Sequence, residues 1–214
     1  LNMAGEGAIN LAPMPALLLM FGSTFGLNVM PGLPKIVNLA IIVAGCMITG
    51  AAILMVPAFG RERLGANEMV TSTIMNMFCM YAALWILKGT VADRSVSFLG
   101  TANYPAAMRF TRYWNGSNFT GGFWVAVIGV IIGLILYYRT PLGVKIRICG
   151  DNLQFAVYSG INAKKMMYLA QLIGGLFAGA AAAVEVFGLY DSYYLQFLTN
   201  VGMDGLLVSV MAKK

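Results

Sequence analysis

Thr140–Gly188 reads TPLGVKIRICGDNLQFAVYSGINAKKMMYLAQLIGGLFAGAAAAVEVFG, a basic segment that runs directly into an apolar one. The apolar half, Met166–Gly188, carries a single charge, Glu185, and is long enough to cross a bilayer, which takes roughly 20 residues at about 1.5 Å each. It also holds two interleaved small-residue ladders, Gly174/Ala178/Ala182 and Gly175/Gly179/Ala183, at a spacing that lets a second helix approach closely. Gly174, Gly175, Ala178 and Gly179 are therefore expected to pack against another span.

The preceding segment, Arg139–Lys165, sets Arg139, Lys145, Arg147, Lys164 and Lys165 against one acid, Asp151. That excess marks a cytoplasmic loop. Thr140-Pro141 stops the helix before it. Asp151 or Asn152 then caps a short amphipathic helix in which Leu153, Ala156 and Val157 share a face, and Gly160 ends it in the left-handed conformation. So short a helix is not stable alone in water and must dock against something.

Four more apolar windows precede this one: Ala8–Val29, Ile36–Pro57, Met69–Leu87 and Gly122–Tyr138. A shorter run, Gly202–Ala212, stops at Lys213 and Lys214 and is either a half-helix or a truncated span. With 59% hydrophobic and 10% charged residues in 214, and a mean hydropathy of +0.77, the chain is an all-α polytopic membrane protein with one transmembrane domain. It opens LNMAGEGAIN, without initiator methionine or signal peptide, and reads as a piece of a longer protein.

Alternation from the basic loop puts Gly60–Glu68, with Arg61 and Arg63, on the same inner side. Met30–Lys35, Lys88–Gly121 and Leu189–Val201 then lie outside. The first span carries Pro13 and Pro15 near its start and Gly22 and Gly26 further on, so a broken helix is expected there, either a kinked packing helix or a pore-lining one. The aromatic-rich outer loop is expected to hold short interfacial segments. The sequons at Asn115 and Asn118 read as chance matches.

Much chemistry is excluded. The chain has no histidine, so the commonest general base and imidazole metal sites are missing. Cys46, Cys79 and Cys149 are too scattered for a disulfide frame or a thiolate metal site. No phosphate-binding loop is present. Hence no catalytic residue, metal, bound cofactor or nucleic-acid partner is expected, and any ATP used is hydrolysed by another subunit.

The run TPLGVKIRICGDNLQFAVYSGINAKKMM resembles the cytoplasmic coupling loop of permease subunits of bacterial ABC importers, in the ribose and branched-chain amino acid permease superfamily. Gly143, Arg147, Gly150, Asn152, Ala156, Gly160 and Ile161 match its pattern, with Asp151 beside them; Ile148 and Val157 depart from it. LNMAGEG, GANEMVTSTIMN and GMDGLLVSVMAKK are similar to further motifs of the nucleoside and simple-sugar branch, in the same order. The resemblance implies a type II importer bundle in the bacterial cytoplasmic membrane, missing helices at both ends. It also implies a second permease subunit, separate ATPase subunits that bind ATP and Mg, and an extracytoplasmic solute-binding protein.

On this reading Asp151–Gly160 sits in the ATPase, Gly143 and Gly160 serve as flexible boundaries, and Met166–Gly188 swings with the loop. Asn2, Glu6, Thr73, Asn76, Glu185 and Asp204 are candidates for the solute path. Four of them have a named plainer alternative: back-bonding for Thr73 and Asn76, snorkelling for Glu185, capping for Asp204. Few intramembrane charges suit a neutral solute such as a nucleoside or sugar, with branched-chain amino acids or another small solute as the alternative within the family. The rivals are an ion-coupled transporter or channel, which would show a deep charge pair, and an intramembrane enzyme using Asp191 and Asp204.

Overall fold

A computed structural model describes residues 2–21, 33–92, 99–114, 119–194 and 200–212. Its helices are α1 (Gly5–Leu11), α2 (Met14–Phe21), α3 (Lys35–Leu64), α4 (Glu68–Ile86), α5 (Gly122–Arg139), α6 (Pro141–Asp151), α7 (Leu153–Tyr158), α8 (Ala163–Val184) and α9 (Val201–Ala212). α3, α4, α5 and α8 are long and apolar enough to cross a membrane. α4 and α8 each end in a π-helical turn, Leu87–Val91 and Glu185–Leu189.

The axis of the bundle is the seam between α3 and α8. Gly50 and Ala51 of α3 lie against Gly175 and Gly179 of α8 so closely that a Cβ on Gly175 or Gly179 would overlap the α3 backbone. Close backbone approach is how helices associate where lipid leaves no hydrophobic driving force between them. Only one of the two ladders makes the seam. Gly174 is exposed, with only Leu54 near it, while Ala178 packs against a small cluster around Ile53 and Leu54.

The first span is broken as expected, at Ala12–Pro13, into α1 and α2. In the turn just before the break, the buried Tyr193 hydroxyl donates to the Asn10 carbonyl at 2.9 Å. Positions 22–29 of that span, like Leu1, Asn115, Asn118, Lys213 and Lys214, lie outside the described residues.

Three boundaries differ from the sequence reading. α3 continues through Pro57 to Leu64 and ends on Gly65 at φ 65°, so the inner connection to α4 is residues 65–67 rather than 60–68. Thr140-Pro141 does not open a loop but starts α6, because proline suits a helix's first turn as well as it breaks an interior. α8 begins at Ala163, capped by Asn162, which brings Lys164 and Lys165 into its first turn. Part of the outer loop belongs to the core. Tyr104, Met108 and Phe110 are buried in the core, where the Tyr104 and Phe187 rings lie 5.1 Å apart.

The two ends of the bundle are chemically distinct. Arg61 and Arg63 end α3, Arg139 ends α5, and Lys164 and Lys165 begin α8, so the basic residues gather at one end. The Lys164–Glu62 ion pair, 3.3 Å, and the Arg61–Glu68 pair, 2.5 Å, stitch that end together. At the other end Arg109 and Arg112 both clamp Asp191, and Lys35 donates to Thr111 at 2.8 Å. The acid once weighed as half of an enzyme pair is therefore a loop anchor.

Candidate functional site

The basic end carries a projecting helical unit. The Thr140 hydroxyl donates to Leu136 O at 2.5 Å and accepts from Gly143 N at 3.2 Å, closing α5 and capping α6 in one residue. Gly143 is not a hinge. It is buried in α6, and a Cβ there would overlap the carbonyls of Leu136 and Tyr137, so it is a close-contact position that holds α6 on α5. Arg147 strengthens the same junction, with its guanidinium 5.1 Å and 5.4 Å from the ring centroids of Tyr137 and Tyr138. Its buried Nε has no acceptor among the described residues.

Asp151 ends α6, and Asn152 separates it from α7 with an extended backbone. The Asn152 side chain, not that of Asp151, caps α7 by accepting from Phe155 N at 3.0 Å. At the far end the Ile161 N–H reaches Ala156 O at 2.9 Å and the Gly160 N–H reaches Val157 O at 3.0 Å, the paired bonds of a Schellman turn with Gly160 at φ 75°. Gly150 is exposed within α6, and a Cβ there would meet nothing.

α7 does not present the face expected of it. Ala156 is fully buried against the chain itself, whereas Leu153, Phe155, Val157 and Tyr158 are half or more exposed. A three-turn α6 and a Schellman turn thus hold a short apolar surface away from the bundle. Beneath it lies a cavity of about 440 Å³ between Ile146, Cys149 and Leu153 on one side and Arg61, Glu68 and Gln171 on the other.

The bundle wall of that cavity is a polar chain crossing four segments. Arg61 of α3 donates to Glu68 Oε2 of α4, Gln171 of α8 donates to Glu68 Oε1 at 3.0 Å, and Asn2 donates to Gln171 Oε1 at 2.8 Å and to Leu54 O at 3.2 Å. Asn2 was marked in the sequence; Gln171, Glu68 and Arg61 were not. The signal in the sequence is that Gln171 is the lone amide of α8, among apolar residues.

The other residues marked for a solute path do not converge on one point. Glu6 accepts from the backbone N–H groups of Asn200, Gly202 and Met203 at 2.8, 2.7 and 3.3 Å, so its carboxylate caps α9 from α1, where the helix dipole favours a negative charge. Asn76 accepts from Gly7 N at 2.8 Å and pins α4 to α1. Thr73 is exposed and back-bonds to Met69 O at 2.9 Å. Asp204 is exposed in the first turn of α9. Glu185 stands at the π turn of α8, beside an apolar groove against Val125 and Gly129 of α5.

These features define a class, a polytopic helical membrane bundle with an amphipathic helical unit held out from its basic end. The chain belongs to the family of the branched-chain amino acid transport system / permease component, whose model matches residues 6–214. It is accordingly a multi-pass protein of the cytoplasmic membrane. It is similar to the nucleoside ABC transporter permease protein NupB of Lactococcus lactis subsp. cremoris, 24% identical over 190 residues, covering 85% of this chain and 52% of that protein. The guanosine ABC transporter permease protein NupP of Bacillus subtilis is 22% identical over 182 residues, covering 83% and 52%. The glucose ABC transporter permease protein TsgB13 of Haloferax volcanii is 22% identical over 228 residues, covering 99% and 56%. The chain spans about half the length of these relatives. No solved structure matches it.

Proposed function

We propose that this chain is permease sequence of an ATP-driven importer that moves a neutral small solute, a nucleoside or a simple sugar, by alternating access. The observation that carries the reading is the exposed apolar surface of α7, Leu153, Phe155, Val157 and Tyr158, held at the basic end and joined through one turn to α8. Such a surface in water needs a partner, and an ATPase subunit, which would bind the ATP and Mg, is the partner that a permease requires. Relatives named for nucleosides, guanosine and glucose support a neutral, hydroxyl-rich solute. A second permease subunit and an extracytoplasmic binding protein complete the assembly.

In this mechanism the ATPase dimer closes on α7, and the movement passes through the Gly160 turn into α8. α8 cannot slide independently of α3, because Gly175 and Gly179 leave no space in the seam. The pair therefore moves as a unit against α1, α4 and α9. Asn2, Glu6 and Asn76 hold the wall of the solute path in shape, and Thr73, Glu185 and Asp204 contribute the polar groups left along it.

The test uses the full-length permease reconstituted with its ATPase subunits and binding protein in liposomes, with labelled guanosine and labelled glucose. Val157→Arg and Tyr158→Asp, both on exposed positions, are expected to abolish ATP-dependent uptake while the permease stays inserted. Unchanged uptake in both variants would remove the coupling role from α7. ATP-independent uptake driven by an ion gradient would overturn the importer reading itself.

A further inference from the structure

We infer that the basic-end groove between α3 and α8 is a binding site for one anionic phospholipid of the inner leaflet. The groove holds about 480 Å³ and is flanked by Met55 of α3 and by Lys164, Lys165, Tyr168, Leu169 and Leu172 of α8. Lys165, Tyr168, Leu169 and Leu172 stand at i, i+3, i+4 and i+7, so they form one stripe along the helix. Deeper in the bundle, Gly175 presses α8 against α3. Toward the basic end the larger side chains Met55 and Leu172 line the groove instead.

The order of chemistry along the stripe is that of a phospholipid standing in its leaflet. Ammonium groups come first, the phenol hydroxyl of Tyr168 one turn further in, and aliphatic side chains below, with about 10 Å of helix from Lys165 to Leu172. A phosphate belongs beside the lysines, the glycerol esters beside Tyr168, and an acyl chain along Leu169, Leu172 and Met55.

Charge selects the headgroup. Lys164 is 3.3 Å from Glu62 and is largely neutralised, but Lys165 is exposed and has no ion pair among the described residues. The positive end of α8 adds to its field. A net positive site is thus left at the cytoplasmic surface, where the leaflet is anionic. A zwitterionic lipid would bring a second cation against Lys165, so phosphatidylglycerol fits better than phosphatidylcholine.

The experiment measures lipid retention on the full-length permease by native mass spectrometry. The detergent-solubilised protein is titrated with phosphatidylglycerol, with phosphatidylcholine, and with phosphatidylglycerol against glycerol 3-phosphate. Phosphatidylglycerol is expected to be retained in preference. Lys165→Gln should weaken it about fivefold, the size of one lysine's attraction to an anionic surface, and Lys165→Arg should restore it. Leu172→Asn, which leaves the lysines in place, should weaken it also. Equal retention of the two lipids, or no change in Lys165→Gln, would overturn the site. Displacement by glycerol 3-phosphate would overturn it as a lipid site and leave a phosphate site.

Discussion

Gln171 of α8 donates to Glu68 of α4 at 3.0 Å while accepting from Asn2 at 2.8 Å, so one amide ties together the start of the chain and two helices. Glu68, with 10% side-chain exposure, accepts from both Gln171 and Arg61. Gln171→Leu is expected to cost about 1–3 kcal/mol, because it removes one hydrogen bond from the ionised Glu68 and one from Asn2, both part-buried. Thermal unfolding of the purified permease checks this, and a melting temperature equal to the parent's would show that the chain adds nothing.

The seam makes a sharper contrast. Gly179→Ala should destabilise by about 1–3 kcal/mol, since its Cβ would overlap the Cys46 carbonyl and force α3 and α8 apart. Gly174→Ala, on the other ladder, has only Leu54 Cδ2 at 3.8 Å and should be neutral or stabilising by up to about 1 kcal/mol. Melting both variants side by side separates the two ladders; equal losses would place both in the seam.

Tyr193 donates to a carbonyl of the last turn of α1, beside the break at Pro13. Tyr193→Phe should cost about 1–3 kcal/mol by stranding the buried Asn10 carbonyl. Burial also pushes the Tyr193 phenol up from its ordinary value. The folded state then holds that proton more tightly than the unfolded chain, whose tyrosines titrate at about 10. This contribution is complete below that pH and is lost as pH rises toward the raised folded value. Unfolding midpoints between neutral pH and pH ~11 should fall more steeply for the parent than for the phenylalanine variant.

The Arg147 guanidinium lies close to two perpendicular tyrosine rings, those of Tyr137 and Tyr138. Arg147→Lys keeps the charge but replaces the planar guanidinium with a more strongly hydrated ammonium, and should loosen α6 by about 0.5–2 kcal/mol. Faster proteolysis between Thr140 and Asn162 would report it. If α6 is equally resistant in the variant, the ring contacts do not hold it.

Asn152→Ala removes the cap of α7 and should cost about 1 kcal/mol of local stability. Amide exchange at Phe155 and its neighbours is the measurement, with faster exchange expected there and no change in α3.

Much of this architecture is legible from residues alone because the signals are local. Apolar length marks spans, lysine and arginine counts distinguish the ends, Asn152 and Gly160 bracket α7, and Pro13 announces the break. Misreadings arose where one residue serves two opposite uses. Proline stops a helix or starts one, which hid α6, and glycine bends a chain or admits a neighbour, which made Gly143 look like a hinge. Which ladder of α8 forms the seam was equally hidden, because both have the same spacing and differ only in the direction they face.

The sequence by itself determined an all-helical membrane protein with a basic end and a short amphipathic helix needing a partner, since composition and periodicity need no knowledge of contacts. Only the tertiary structure decided what the polar residues touch. Asn2 meets Gln171 across 169 positions, Gln171 meets Glu68 across 103, and Glu6 caps a helix more than 190 positions away. Hydrogen bonds reach about 3 Å, so their partners are set by how helices pack and not by how residues are spaced along the chain.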